Sequence, residues 1–191
     1  AEELCSDGID PAEVVADSLL PHLSSEGDRY GDRLNRITDL RLAVIAGGNT
    51  FGREAVRLFE VAPRFGSRDL ANFFWILRDT SFEAELIATF EKEIAKNKEL
   101  EESDRRLTAS FIARALSTCG SRAGAEAVLK FMFDDPVNVI HRDFAVDVLV
   151  PLLTREIISG EELAEEAENP DNHAIGRALC IEALATHDGA A

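Results

Sequence analysis

Cysteine is scarce in this chain, and its scarcity limits the kinds of protein it can be. The 191 residues contain three cysteines, Cys5, Cys119 and Cys180, together with a single methionine, tryptophan and tyrosine. An odd number of widely spaced cysteines argues against a disulfide framework and is typical of a reducing compartment. We therefore expect Cys119 and Cys180 to be buried structural thiols, and we predict a cytoplasmic location.

Long apolar runs are also missing. The longest extends from Val148 to Leu153 and includes Pro151, whereas a membrane-spanning helix needs about 20 apolar residues. The opening segment Ala1-Glu2-Glu3 has a negative net side-chain charge, whereas a secretory signal peptide would be positively charged there. We expect neither membrane insertion nor secretion.

Positive charge is the third shortage. The chain has 20 basic and 36 acidic side chains, which give a net charge of −16. Nucleic acid is therefore an unsuitable partner, because its binding requires basic side chains that neutralise phosphates. An acidic cluster is either a solvated helix face or a surface that attracts a basic protein; it consists of Glu161, Glu162, Glu165, Glu166 and Glu168.

Metal and cofactor patterns are absent from the sequence. No two histidines stand three to five residues apart, the spacing typical of a zinc-binding helix; the histidines are His22, His141, His173 and His187. We predict no metal site and no cofactor.

Two segments resemble catalytic motifs without their required context. His141-Arg142-Asp143 spells the catalytic tripeptide of protein kinases, but Val148 occupies the position of the metal-binding asparagine and no Asp-Phe-Gly follows. The glycine-rich segment 47–52 is not followed by the lysine and the serine or threonine that complete a phosphate-binding loop. We interpret that segment as a turn between helices, and we predict that the protein is not an enzyme.

The remaining pattern is helical. Phe82, Leu86, Phe90 and Ile94 recur every fourth residue and predict an apolar stripe along one helix. Capping boxes are predicted at 80–83 and 159–162, with further caps at Ser67, Asn138 and Asn172. Glycines predict helix ends at Gly66, Gly120 and Gly160.

A faint internal repeat covers the last two-thirds of the chain. Arg68, Arg106, Arg142 and Arg177 recur at spacings of 38, 36 and 35 residues. A small residue follows each arginine after three positions (Ala71, Ala109, Ala145, Cys180), and an apolar residue follows after seven (Trp75, Ala113, Leu149, Leu184). Periods of this length are typical of stacked helix pairs. The pattern predicts first helices at 67–79, 104–119, 138–153 and 172–187, and second helices at 81–98, 121–133 and 160–168.

The last two copies carry a resemblance to a known class. The runs 134–149 and 168–184 each join an Asn/Asp-Pro turn to an arginine followed by a small residue, and they resemble short HEAT-like repeats of the kind found in phycobilisome-lyase-like proteins. The resemblance implies an all-α, right-handed α-solenoid of the HEAT/armadillo type. It would form a single domain over 1–191, with 66–191 as repeats and 1–65 as degenerate or capping helices; a separate amino-terminal subdomain is the alternative.

Such solenoids usually bind a partner on the concave face formed by their second helices. We therefore predict a non-catalytic protein–protein interaction scaffold, with an acidic inhibitor of a basic partner or a lyase-like helper subunit as alternatives. Trp75 lies in an apolar run that predicts either burial on both helix faces or an aromatic binding patch with Arg78 beside it. The predicted partner-binding residues are Arg53, Arg57, Glu60, Trp75, Arg78, Glu83, Glu91, Lys92, Arg122, Glu126 and Lys130.

Overall fold

The computed structural model describes residues 64–101, 107–134, 140 and 143–189, together with 52–53, 55–57 and 59–60. Its regular elements are α1 (Arg64–Leu77), α2 (Glu83–Glu99), α3 (Thr108–Cys119), α4 (Arg122–Asp134), a π-helical turn (Ala145–Leu149), α5 (Val150–Thr154), α6 (Gly160–Glu168) and α7 (Ala174–Asp188). A 3₁₀ turn (Thr80–Phe82) precedes α2. These parts of the chain contain no strand, so the predicted all-α class is confirmed. The predicted domain layout includes 1–50, which lie outside the described residues.

The predicted helices overlap the observed ones. The helix ends that were predicted at glycines agree with the structure at one position and disagree at two. Gly120 terminates α3 as predicted. Gly66 lies inside α1 and Gly160 is the first residue of α6, so neither ends a helix. A glycine alone does not stop a helix that is held by packing along its length, because propensity is a weaker effect than tertiary contact.

One of the predicted helix caps is confirmed, and others are wrong. The capping box at Ser159 and Glu162 is confirmed. The box predicted at 80–83 is wrong, because Asp79 accepts the Ser81 N–H and no side chain caps α2 itself. Asn172 is not the cap of α7 either, since the adjacent His173 side chain accepts the N–H of Ile175.

The two other predicted caps end differently. Ser67 lies inside α1, where its hydroxyl is 3.4 Å from that of Thr108 on α3, so it caps no helix. Asn138 lies outside the described residues.

Helix α3 occupies the centre of the described structure. It contacts α1, α2, α4, the π turn and α5, and eleven of its twelve residues are buried, Arg114 being the exception. A helix that is enclosed by neighbours on all sides cannot keep a charged face. The sequence of α3 meets this requirement, because it consists of apolar residues, serine and threonine with Arg114 as its single charged residue.

The first helices of the predicted pairs contact one another in chain order. Helices α1, α3, the π turn with α5, and α7 form this succession, while α2 packs on α3 and α4, α6 packs on α7, and α4 also contacts α7. Four small residues lie where these helices meet, and each has no exposed surface: Ala71, Ala109, Ala145 and Cys180. The predicted stripe on α2 is confirmed, with Phe82, Leu86 and Phe90 buried and Ile94 partly buried.

Pro151 explains the π-helical turn. Proline has no N–H, and its ring collides with the carbonyl four residues earlier. The chain widens there: the Val150 N–H bonds to the Ala145 carbonyl, five residues back. The carbonyl of Asp147, which Pro151 cannot satisfy, accepts instead from the Ser117 hydroxyl of α3 at 3.4 Å. The irregular turn is thereby joined to the central helix.

Candidate functional site

Trp75 lies on the surface, in contrast to its neighbours. Its side chain is 45% exposed, whereas Phe73 and Phe74 are buried in the aromatic core. The ring of Phe74 lies 6.0 Å from that of Phe59 and 5.3 Å from that of Phe73. Successive helical residues point about 100° apart, so the two faces of α1 that hold these phenylalanines leave Trp75 outside. The prediction of burial on both faces is therefore wrong at this position.

Trp75 forms one side of an open groove of about 350 Å³. Residues at the end of α1 line this side, Thr118 of α3 lies between, and the π turn with α5 forms the opposite side. The lining residues are Trp75, Arg78, Thr118, Val146, Val150, Pro151, Thr154 and Arg155. Val146 is also exposed, by 44%, so apolar surface faces solvent on both sides of the groove.

Arg78 adopts an unusual backbone conformation at the end of α1. Its φ is +51°, in the left-handed region that ends many helices, and its N–H bonds to the Phe74 carbonyl at 2.9 Å. For a residue with a side chain this conformation costs about 1 kcal/mol. Its guanidinium carbon lies 5.9 Å from the centre of the Trp75 ring, within cation–π range.

Arg155 holds the other positive charge of the groove. Its Nη1 donates to the Ser117 carbonyl at 2.7 Å, and its Nη2 donates to the Gly120 carbonyl at 2.8 Å. These carbonyls end α3, where the helix dipole is negative. Arg155 thus caps α3 while its side chain borders the groove.

Glu83, a predicted partner-binding residue, forms its hydrogen bonds within the chain. Its carboxylate accepts hydrogen bonds from the Ser121 N–H and hydroxyl and, at 2.8 Å, from the Gly124 N–H. It therefore caps the amino terminus of α4, whose free N–H groups favour a negative charge.

Several other predicted partner-binding residues form ion pairs within the chain. Glu60 pairs with Lys92 of α2 at 2.8 Å, and Arg53 lies 3.9 Å from Glu85. Arg122 of α4 pairs with Glu126 and with Glu162 of α6. The hydrogen bond from Lys92 lowers the pKa of Glu60, and that from Arg122 lowers the pKa of Glu162. Arg57, Glu91 and Lys130 are exposed, and Arg57 and Lys130 also interact within the chain.

The buried thiols have no chemical activation. Cys119 and Cys180 are fully buried, which confirms the predicted role. Burial raises the pKa of each thiol to about 12, so the nucleophilic thiolate is suppressed. Cys5, His141 and Arg142 lie outside the described residues, as does segment 47–52 apart from Gly52. In the described ranges no three His, Cys, Asp or Glu side chains are placed to hold a metal ion.

No protein-family model, curated protein or solved structure matches this chain. The geometry alone supports its functional interpretation. Within the described part of the chain, no helix has the length and apolar character needed to cross a membrane.

Some residues of the groove could be recognised from the sequence, and others could not. Trp75 and Arg78 were recognised as a pair, and the structure brings them together. Val146, Pro151 and Arg155 were missed, because they lie far along the chain and approach Trp75 only through the common contact with α3. Pro151 within an otherwise helical run was the one visible signal of irregular structure there.

Proposed function

We propose that this chain is a non-catalytic protein-interaction module, built as a right-handed, HEAT-like α-solenoid of stacked helix pairs. The complete burial of the four small residues supports this architecture. So do four hydrogen bonds between elements of successive pairs, which join residues between 30 and 41 positions apart, close to the period of the sequence. In a solenoid each unit contacts chiefly its neighbours.

The exposed Trp75 over its groove is the observation that carries the function. Tryptophan and arginine are enriched among residues that dominate binding energy at protein interfaces, and a cation–π pair at an exposed site gives little stability. Here Trp75 and Arg78 stand beside Val146 and Val150 at the same groove. We therefore place the main contact at this groove.

The layer of second helices remains a secondary contact surface in this proposal. Glu60, Lys92 and Arg122 already pair with side chains of this chain, and a partner would have to replace those pairs. Glu91 is exposed on α2 and is available as a peripheral contact.

The acidic-inhibitor alternative rests on α6. Leu163 and Ala167 are its buried residues, whereas Glu161, Glu165 and Glu168 are exposed. The acidic side chains therefore form a solvated face of α6. This negatively charged face would also attract a basic protein at low ionic strength.

Affinity purification with mass spectrometry tests the proposal. The wild-type chain, Trp75→Ala and the control Ile181→Ala would be used as baits at low and at moderate salt. Ile181 is exposed by 60% on α7 and does not line the groove. We expect one protein to be captured at both salts by wild type and Ile181→Ala and lost with Trp75→Ala. Failure to capture any protein at either salt would contradict the interaction function, and capture only at low salt would favour the acidic inhibitor.

The variants must also be shown to fold. Trp75→Ala removes a half-exposed side chain and should lower the free energy of unfolding by less than about 1 kcal/mol. Phe74→Ala, one residue earlier in the fully buried core, should cost about 3–5 kcal/mol. Urea denaturation followed by circular dichroism separates the two. A large loss at Trp75 would mean that the tryptophan serves the fold.

A further inference from the structure

The groove at Trp75 has a defined chemistry, and this chemistry selects a partner. We propose that it binds a peptide segment of the partner in which an aromatic or aliphatic side chain stands next to a carboxylate. This inference rests on the proposed interaction function and adds the chemical class of the bound segment.

The apolar component follows from the surfaces on the two sides. Trp75 and Val146 are each exposed by more than two-fifths on opposite sides of the groove, and Val150 and Pro151 continue the apolar surface. The volume of about 350 Å³ is at the lower end for binding sites. It suits one or two apolar side chains of a peptide, whose burial contributes about 1.5–3 kcal/mol each.

The acidic component follows from the charges. The groove is lined by two arginines, Arg78 and Arg155, and by no acidic residue. Neither arginine forms an ion pair with a carboxylate in the described part of the chain. The groove therefore carries a local positive charge from its two arginines. This charge contrasts with the rest of the chain, which has 36 acidic and 20 basic side chains.

One of the two guanidinium groups is held in place before a partner arrives. Arg155 is fixed by its two bonds to the end of α3, and the Arg78 guanidinium lies within cation–π range of the Trp75 ring. Binding of a carboxylate to Arg155 would therefore cost less arginine side-chain entropy than binding to a free arginine. A basic segment would instead meet two like charges, which disfavours it.

A displayed random-peptide library tests this inference. The library would be selected on the full wild-type chain, with removal of the phage that also bind Trp75→Ala. We expect the enriched sequences to combine aromatic or aliphatic residues with adjacent aspartate or glutamate. A peptide synthesised from the consensus should bind wild type at least about tenfold more tightly than Trp75→Ala.

Charge-changing variants at Arg78 provide the decisive comparison. Arg78→Gln should weaken binding of the consensus peptide by about fivefold, and Arg78→Glu should shift selection toward basic peptides. Arg68→Gln is the matched control, since Arg68 is an exposed arginine of α1 that does not line the groove. It should bind the peptide as wild type does.

The outcomes separate this inference from the proposed function. A basic consensus, a consensus peptide that binds Trp75→Ala as tightly as wild type, or no enrichment would overturn the inference. If affinity purification still captured a protein, the interaction function would stand without it. Conversely, peptides that bind as expected while no protein is captured would support the chemistry of the groove and contradict the interaction function.

Discussion

Glycine at position 124 should resist replacement by alanine, although it lies in a helix. Alanine is favoured over glycine within helices by up to about 1 kcal/mol, and Gly124 is the third residue of α4. A Cβ built on Gly124 would lie 2.8 Å from Oε1 of Glu83, the carboxylate oxygen that caps this helix. The next atom, Cδ2 of Leu116, is at an ordinary 3.5 Å. The effect of Gly124→Ala therefore depends on Glu83.

The magnitudes follow from the cap. Loss of an N-capping side chain costs about 0.5–2 kcal/mol, and hydrogen bonds to a charged group are at the strong end of the usual range. With three donors and partial exposure, Glu83→Ala should cost about 2 kcal/mol. Gly124→Ala displaces the same carboxylate, so in the wild type its helix gain is outweighed and the net loss is about 1 kcal/mol. In the Glu83→Ala background it should instead stabilise by about 1 kcal/mol.

A double-mutant cycle measured by urea denaturation tests this sign reversal. The expected coupling free energy is about 2 kcal/mol, or roughly 4–8 °C in Tm for a chain of this size. Glu85→Ala is the control: its carboxylate lies 3.9 Å from Arg53, an exposed pair, and its loss should cost less than about 0.5 kcal/mol. If Gly124→Ala stabilised both backgrounds equally, the assignment of Glu83 as the cap of α4 would be refuted.

Three further predictions follow from packing and charge. In a Cys5→Ser background, Cys119 and Cys180 should react with a disulfide reagent at pH 8 at least about a hundredfold more slowly than glutathione, and fully after unfolding. Burial raises the pKa of both thiols in the folded chain to about 12. The contribution of the protonated thiols to the free energy of unfolding is therefore intact below pH 9 and is lost as the pH rises toward 12. Fast labelling of the native chain would contradict the burial of these thiols. Arg122→Gln should cost at most about 1 kcal/mol at pH 7, since its pairs are exposed and screened. As the pKa of Glu162 is lowered by Arg122, most of the difference from wild type should be lost as the pH falls below 4.5; an undiminished difference there would mean that Arg122 acts through its bond to the Ile157 carbonyl or through packing. Ala109→Leu should cost about 1–3 kcal/mol because it overfills a fully buried contact, whereas Ala178→Leu on the exposed face of α7 should change stability by less than about 0.5 kcal/mol; equal effects in urea denaturation would contradict the packing role of the small residues.

The sequence predicted the helices and the small positions of the repeat, because both depend on local periodicity. The repeat placed a small residue at Ala71, Ala109 and Cys180, and in the structure none of them has exposed surface. The stripe on α2 followed from its four-residue spacing. Signals of this kind reside in short windows of sequence and need no knowledge of the neighbouring helices.

Polar side chains were harder to place, because their partners are chosen in three dimensions. Glu83 fits the local pattern of a capping box, yet its carboxylate reaches Ser121, 38 residues away. Arg155 carries no motif at all, and its role depends on the carbonyls at the end of α3. The residues that the π turn and α5 contribute to the groove at Trp75 were missed for the same reason, since the groove requires α1 and the π turn to contact the same helix.

The caps supplied by neighbouring helices determine how this chain can be divided. Helix α4 receives the cap at its amino terminus from Glu83 of α2, and α3 receives donors for its last carbonyls from Arg155, beyond α5. A cut in the loop after α3, or a chain that stopped before Arg155, would leave these backbone groups to water alone. We therefore expect that the loops between α2 and α5 are not boundaries between autonomously folding pieces, because the pair of α3 and α4 takes caps from residues on both sides of it in the chain.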